Sequence, residues 1–254
     1  MLSQWLRPAV LPRLAPQWSL PPATNVPAAL VTGGSSGIGA ACAARLAAHG
    51  HQVAVVDLAP TDAPAVALSL SLDVRDGPGL ADAAARVEAE LGPIDYLVTA
   101  AGHYRAGTIA DPDEAEWQRM LEVHVGGTAN AWRAVVPRMR SRGRGAICAI
   151  GSELGIIGDP SAPHYAAAKG AIHAMTKSLA AELAPDGIRV NCVAPGPTDT
   201  PLLSDDPNMA SYAEALPLGR VLQAEEIAAA VAFVLLEDTN FVGQVVSPNA
   251  GAVL

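Results

Sequence analysis

Tyr165 and Lys169 stand four residues apart in a segment of helical period, so both side chains leave one helix face and their heads can reach the same ligand. A phenol with an ordinary pKa of about 10 is a poor base near neutrality, but a neighbouring ammonium favours the phenolate. Poising it near pH 7 takes on the order of 4 kcal/mol of differential stabilisation. Ser152, just past a strand-like run at Gly145–Ile150, is expected to hold a substrate oxygen within hydrogen-bond reach of the Tyr165 hydroxyl. Taken alone, Tyr-x-x-x-Lys is equally an ordinary exposed helix pair.

A second constellation precedes these residues. The run Thr32-Gly33-Gly34-Ser35-Ser36-Gly37-Ile38-Gly39 links a short apolar run to a helix that ends near His49-Gly50. Glycines let the backbone turn sharply and approach a pyrophosphate, and the helix N-terminus offers free N–H groups and a positive dipole end. Gly33, Ser35, Ser36, Gly37, Ile38 and Gly39 are therefore candidate dinucleotide contacts. Asp57, at the end of the next strand, is positioned to accept both adenosine ribose hydroxyls. That carboxylate would repel a 2′-phosphate, and no Lys or Arg follows it, so NAD is favoured over NADP. The alternative is that Asp57 only caps the next turn. Lys169 and a positive nicotinamide ring would jointly favour the Tyr165 phenolate.

From Ala28 onward, short β-type runs alternate with Ala-rich segments of helical period, the pattern of a parallel sheet covered by helices on both faces. Strands are predicted at Ala29–Thr32, Gln52–Asp57, Ala67–Leu72, Tyr96–Thr99, Gly145–Ile150, Ile188–Val193 and Gly243–Ser247. Helices are predicted at Ile38–His49, Gly79–Leu91, Asp113–Ser141, Tyr165–Ala184 and Ala224–Leu236. The segments Leu154–His164 and Pro195–Gly219 resist regular assignment. Both follow strands on the side where open α/β sheets bind ligands, so they are expected to wall a substrate pocket. Residues 1–27 carry Arg7, Arg13 and prolines at 8, 12, 16, 21, 22 and 27, and read as an irregular arm that packs Trp5 and Trp18. Residues 28–254 then form one domain.

Composition excludes other classes. The 254 residues are 50% hydrophobic and 16% charged, enough for a large core and too apolar for disorder. The net charge is −9 with no cluster of Lys and Arg among aromatics, which argues against a nucleic-acid partner. The longest apolar helical run, Ile227–Leu236, is well short of the roughly 18 residues of a membrane span, so a soluble, cytoplasmic protein is expected. Cys42, Cys148 and Cys192 are scattered, lack metal-site spacing, and read as small core residues in a reducing compartment; no metal is expected. Trp117 and Trp132 read as core or interface.

Over the stretch from about Ala28 to the C-terminus the chain resembles the short-chain dehydrogenase/reductase family of the classical type. The resemblance rests on Thr32-Gly33-x-x-x-Gly37-Ile38-Gly39, Asp73-Val74, Ala101-Gly102, Ser152, Tyr165, Lys169, Asn191, Pro195-Gly196 and Thr200. It implies a Rossmann-type α/β fold, a doubly wound parallel sheet of order 3-2-1-4-5-6-7, and a dimer or tetramer. It also implies that Asp73 contacts the adenine amine, that Lys169 contacts the nicotinamide ribose, and that Thr198 and Thr200 face the carboxamide. Val74, Ala101, Gly102, Pro195 and Gly196 complete the expected dinucleotide wall.

The departures bear on mechanism. Where the family has a catalytic Asn seven positions after a Trp, counting from Trp117 reaches His124. That Asn bends the helix and holds a water on the lysine's path to solvent. An imidazole could carry the proton itself, or replace the Asn only structurally. Thr99-Ala100-Ala101-Gly102 lacks the family's first Asn, which removes hydrogen bonds across the central sheet. Ser247-Pro248-Asn249-Ala250-Gly251 replaces the usual Val-Asp-Gly-Gly. Between Asp57 and Asp73 there is room for only a short crossover helix or none, a brevity shared with 2,3-dihydro-2,3-dihydroxybenzoate dehydrogenases and some ketoacyl carrier protein reductases. The former are also resembled in Gly126-Gly127, Thr198-Asp199-Thr200 and Pro217-Leu218-Gly219-Arg220.

His103, Tyr104, Glu153, Leu154 and His164 flank the expected nicotinamide pocket as candidate substrate contacts. The implied activity is NAD-dependent interconversion of a small secondary alcohol, including cyclic alcohols or dihydrodiols, and a ketone. Tyr165 would take the hydroxyl proton while hydride leaves the same carbon, and His124 or water would pass the proton outward. NAD(P)H-dependent ketone or 3-ketoacyl reduction is the alternative within enzymes. A catalytically silent NAD-binding regulator is the alternative outside them.

Overall fold

The computed structural model describes residues 26–203, 209–237 and 239–253, so the arm packing Trp5 and Trp18 lies outside the described residues. Five long strands, β1 (Ala28–Thr32), β2 (Gln52–Asp57), β4 (Ile94–Thr99), β5 (Gly145–Ile150) and β6 (Ile188–Val193), are nearly continuous apolar runs. Strands buried on both faces read this way in parallel sheets. With the short strands β3 (Leu68–Ser71) and β9 (Val245–Val246) they form one all-parallel sheet of order β3-β2-β1-β4-β5-β6-β9. This is the predicted order. The seventh strand is ninth along the chain because β7 (Thr198–Asp199) and β8 (Leu222–Gln223) pair separately.

Alternation along the strands feeds two cores. Leu30, Val56, Leu97 and Ile147 face α2 (Gly77–Leu91), α4 (Gly127–Arg142) and α6 (Pro163–Leu183). Val31, Val55, Val98 and Cys148 face α1 (Gly37–Ala48) and α8 (Ala224–Leu236). Helix α2 shows the logic: Asp76 caps it by accepting from Gly79 N–H at 3.0 Å, and Leu80, Ala83, Ala84 and Val87 form its buried stripe. All three cysteines are free and buried. No helix among the described residues is long and apolar enough to cross a membrane.

Element ends differ from expectation by one or two residues, but three segments differ in kind. The helix expected at Asp113–Ser141 is α3 (Glu114–Leu121), a π-helical turn at Glu122–Gly126, and α4. Leu154–His164 contains a one-turn helix, α5 (Leu154–Ile157). Pro195–Gly219 contains β7 and α7 (Met209–Ala215). No helix crosses between β2 and β3. The chain turns there, with Ser69 Oγ accepting from Thr61 N–H and Ser71 Oγ donating to Leu58 O, both at 2.9 Å.

Candidate active site

The C-terminal end of β5 and the first turns of α6 bring the reacting triad together. Pro163, with its φ preset for a helix, opens α6. Lys169 Nζ then donates to Ile150 O at 2.9 Å, tying the helix to the end of β5. Ser152 follows two residues later, its Oγ accepting from Leu154 N–H at 3.1 Å. The Tyr165 hydroxyl shares a hydrogen bond with Ser152, and Lys169 Nζ lies 5.5 Å from the Tyr165 ring centre. All three side chains are buried.

Burial dominates the acid–base state. It raises the Tyr165 phenol above its ordinary value; the Ser152 hydrogen bond opposes this, while Tyr104 and Glu153 add to it. Burial also lowers the Lys169 ammonium to about 8. The neighbouring ammonium therefore does not by itself make Tyr165 a phenolate, and further positive charge from a ligand is required.

His124 sits at the centre of the π turn, buried, with its ring edge-on to Tyr165 at 5.4 Å. Its Nε2 lies 2.8 Å from His103 O and 3.2 Å from His103 N, so the ring is tied to the His103 backbone through this nitrogen, and Nδ1 has no partner among the described residues. Burial first, then the Lys169 charge, hold this imidazole well below its ordinary value. The side chain fits because residue 102 is glycine: a Cβ there would overlap the His124 ring. Single π turns of this kind recur at functional sites.

A cavity of about 650 Å³ runs from the triad to the end of β2. Apart from Ser35, every residue expected to touch the dinucleotide lines it. Ser35 stands off this wall: its N–H donates to Asp57 Oδ2 at 3.0 Å and its Oγ to Ala59 O at 2.7 Å, turning it onto the loop after β2. Gly33, at φ +68°, lies so close to the next loop that a Cβ would come within 2.6 Å of Ala101 Cα. Asp57 Oδ1 has only a 3.5 Å contact to Ala59 N, weak for a turn cap, and remains on the cavity wall. Asp73 is held by Arg75 Nη2 at 2.7 Å, which depresses its pKa. The arginines on the wall are Arg75 and Arg119; none lies in the Gly-rich loop or directly after Asp57. These residues fit an extended dinucleotide, with an acidic adenosine end and a Tyr/Lys/Ser end.

Of the candidate substrate contacts, His103, Tyr104, Glu153 and Leu154 line the cavity. His164 does not: it is fully buried with its ring 5.6 Å from Trp117. Its position beside Tyr165 in sequence is misleading, since adjacent helical residues point about 100° apart. His103 Nε2 pairs instead with Glu116 Oε1 at 3.0 Å. Among the described residues no acidic, His or Cys group is arranged to hold a metal ion.

The departures also acquire physical accounts. Thr99 Oγ1 is buried without a partner, as expected where the family's Asn is missing. Asn191 bonds Phe241 O and Gln244 N at 2.9 and 3.0 Å, stitching β6 to the approach of β9. Ser247 Oγ donates to Ala194 O at 2.8 Å and Pro248 O accepts from Gly196 N at 3.0 Å, so Ser247-Pro248-Asn249 braces the Pro195-Gly196 turn. Sequence reasoning missed His173, which continues the four-residue spacing from Tyr165 and Lys169. It is buried, its Nε2 is unpartnered among the described residues, and burial followed by the Lys169 and Lys177 charges lowers its pKa.

The family model described as enoyl-(acyl carrier protein) reductase matches residues 33–252. Cis-4-hydroxycyclohexanecarboxylate dehydrogenase of Sinomonas cyclohexanicum is 37% identical over 242 residues, covering 88% of this chain and 95% of that protein. The 3-oxoacyl-[acyl-carrier-protein] reductase FabG of Escherichia coli (strain K12) is 36% identical over 236 residues, covering 88% and 96%. The solved structure of Thermoplasma acidophilum aldohexose dehydrogenase superposes with a TM-score of 0.82 at 28% identity, covering 89% of this chain and 94% of that one.

Proposed function

The chain belongs to the short-chain dehydrogenase/reductase family of oxidoreductases, which use nicotinamide cofactors, and from that premise we propose an NAD-dependent dehydrogenase that interconverts a secondary alcohol and a ketone. The observation that carries the reading is the convergence of Ser152, Tyr165 and Lys169 on a cavity that also carries Asp57, with no Lys or Arg in the Gly-rich loop or directly after Asp57. A bound nicotinamide supplies the hydride acceptor.

The chain's own groups do the rest. Ser152 Oγ holds the substrate oxygen, and Tyr165 Oη accepts its proton. Burial opposes the phenolate, so Lys169, fixed at Ile150 O and 5.5 Å from the ring, supplies part of the opposing charge and orients the ribose. Asp57, Thr198 and Thr200 line the cavity, where Asp57 would hold the adenosine ribose and the two threonines would border the carboxamide. His124 acts by position: it anchors the His103 loop and packs on Tyr165, while water carries the proton outward. The cavity lining includes Tyr104, Leu154, Leu202 and Leu216, apolar surface that suits a small cyclic or aliphatic alcohol. Similarity to FabG supports a second reading, reduction of a 3-ketoacyl thioester. The protein acts as a homo-oligomer, dimer or tetramer, of the cytoplasm.

A panel of cyclic and aliphatic secondary alcohols with NAD and NADP, read at the reduced-nicotinamide absorbance, tests the assignment against acetoacetyl thioester reduction with NADPH. Tyr165→Phe is expected to abolish turnover and leave NAD binding within about threefold. Retained turnover would refute the mechanism.

A further inference from the structure

Glu153 directly follows Ser152, and its backbone N–H donates to Pro195 O at 2.9 Å. It opens α5, but its side chain caps nothing there. At 5% exposure it is nearly as buried as Lys169. The carboxyl lies along the Pro195-Gly196 turn: a Cβ on Gly196 would stand 2.8 Å from Oε2. Among the described residues Oε2 has no hydrogen-bond partner, and burial alone, with no neighbouring cation, shifts the group. Yet Glu153 lines the reaction cavity. Buried polar atoms in folded proteins are almost always paired, so an unpaired carboxyl on a ligand-binding wall points to a partner that arrives with the ligand.

We propose that Glu153 selects the substrate, hydrogen-bonding a second, uncharged oxygen near the reacting carbon and turning away substrates that carry a carboxylate there. This rests on the dehydrogenase reading above. Tyr165 of α6 is the ionisable group that feels the Glu153 charge; the same cavity wall also carries Lys169, His103, Tyr104, His124 and Asp159, and His173 of α6 stands against Gly155 of α5, while the Pro195-Gly196 turn and Ser247–Asn249 bring no ionisable group. Burial raises the Glu153 carboxyl to about 7, so near neutrality a large fraction is the acid, with one donor and one acceptor. An ionised Glu153 would oppose a second anion in the cavity and would raise Tyr165 further. A site built to hydrogen-bond a substrate hydroxyl discriminates strongly against an analogue that lacks it.

The test compares wild type, Glu153→Gln and Glu153→Ala on cyclohexanol, 1,2- and 1,3-cyclohexanediol and 2-hydroxycyclohexanecarboxylate with NAD, from pH 6 to 9. Wild type is expected to favour a diol over cyclohexanol by about tenfold or more in kcat/KM. That ratio should decline above pH 7, stay level with pH in Glu153→Gln, and collapse towards one in Glu153→Ala. The carboxylate probe should gain about tenfold in Glu153→Gln relative to wild type at pH 8. Infrared difference spectra should show a carboxylic C=O band that is lost between pH 6 and 8, is absent from Glu153→Gln, and shifts when a diol is added. An unchanged diol ratio in Glu153→Ala, or a band that ignores the diol, overturns the assignment. A wild type inactive on every probe with either dinucleotide instead refutes the dehydrogenase reading, and this assignment falls with it.

Discussion

Lys169 is held in a place that disfavours its charge, and replacing it makes that cost measurable. Burial lowers its pKa from the ordinary 10.5 to about 8 in the folded chain. Charging it there therefore costs about 3 kcal/mol relative to the unfolded chain. Between pH 8 and 10.5 the unfolded state binds more protons at this residue than the native state, so its contribution to stability rises with pH. From pH 7.5 to 9.5 the gain amounts to about 2 kcal/mol. Lys169→Met removes the titration and also loses the hydrogen bond to Ile150 O, a loss that does not vary with pH. Urea unfolding at pH 7.5, 8.5 and 9.5 and fixed protein concentration, followed through the buried Trp132, isolates the effect as a difference between wild type and variant. Cys42 and Cys148, whose buried thiols are pushed up, lower stability above pH 9 in both proteins and cancel. Wild type should gain about 2 kcal/mol on the variant across that range. A difference that stays constant within about 0.5 kcal/mol would show that the amine is not desolvated in the folded chain.

Three further outcomes follow from the site. Gly102→Ala, whose methyl would overlap the buried His124 ring, should lose about 1–3 kcal/mol in a thermal or urea melt. In a His124→Ala background that loss should fall by more than half, and an equal loss would refute the contact. Asp57→Ser should weaken NAD binding about tenfold and narrow the NAD-to-NADP preference in a fluorescence titration; an unchanged ratio would return Asp57 to a turn-capping role. Because its Nε2 is tied to the His103 backbone and burial keeps it neutral, His124→Asn should leave the pH dependence of kcat unmoved between pH 6 and 9, whereas a displaced acid limb would restore the imidazole as a proton carrier.

Much of the architecture is legible because short continuous apolar runs and Gly-rich turns are local signals. Leu30 and Val31 announce a strand buried on both sides, and Gly33 announces a backbone that another loop approaches closely. The spacing of Tyr165 and Lys169 also needs only helical geometry. What escaped depends on contacts between distant segments. The π turn at Glu122–Gly126 has no compositional mark; it forms where His124 packs between Tyr165 and Gly102. Ser35 sits inside a phosphate-loop pattern but faces Ala59, because Asp57 draws its N–H outward. His164 adjoins Tyr165 in sequence yet turns to Trp117 on a helix some forty residues earlier. The charge state of Glu153 depends on burial by the Pro195-Gly196 turn, which no local pattern encodes.

The two margins of the sheet set a condition on how copies of this chain can meet. One border is β3, four residues long with two serines whose hydroxyls hold the neighbouring loop, and the other is β9, of two residues. A continuous ladder across a molecular boundary needs a run of unpaired backbone amides and carbonyls, and neither margin offers one of useful length. Among the described residues, self-association by strand addition is thereby disfavoured.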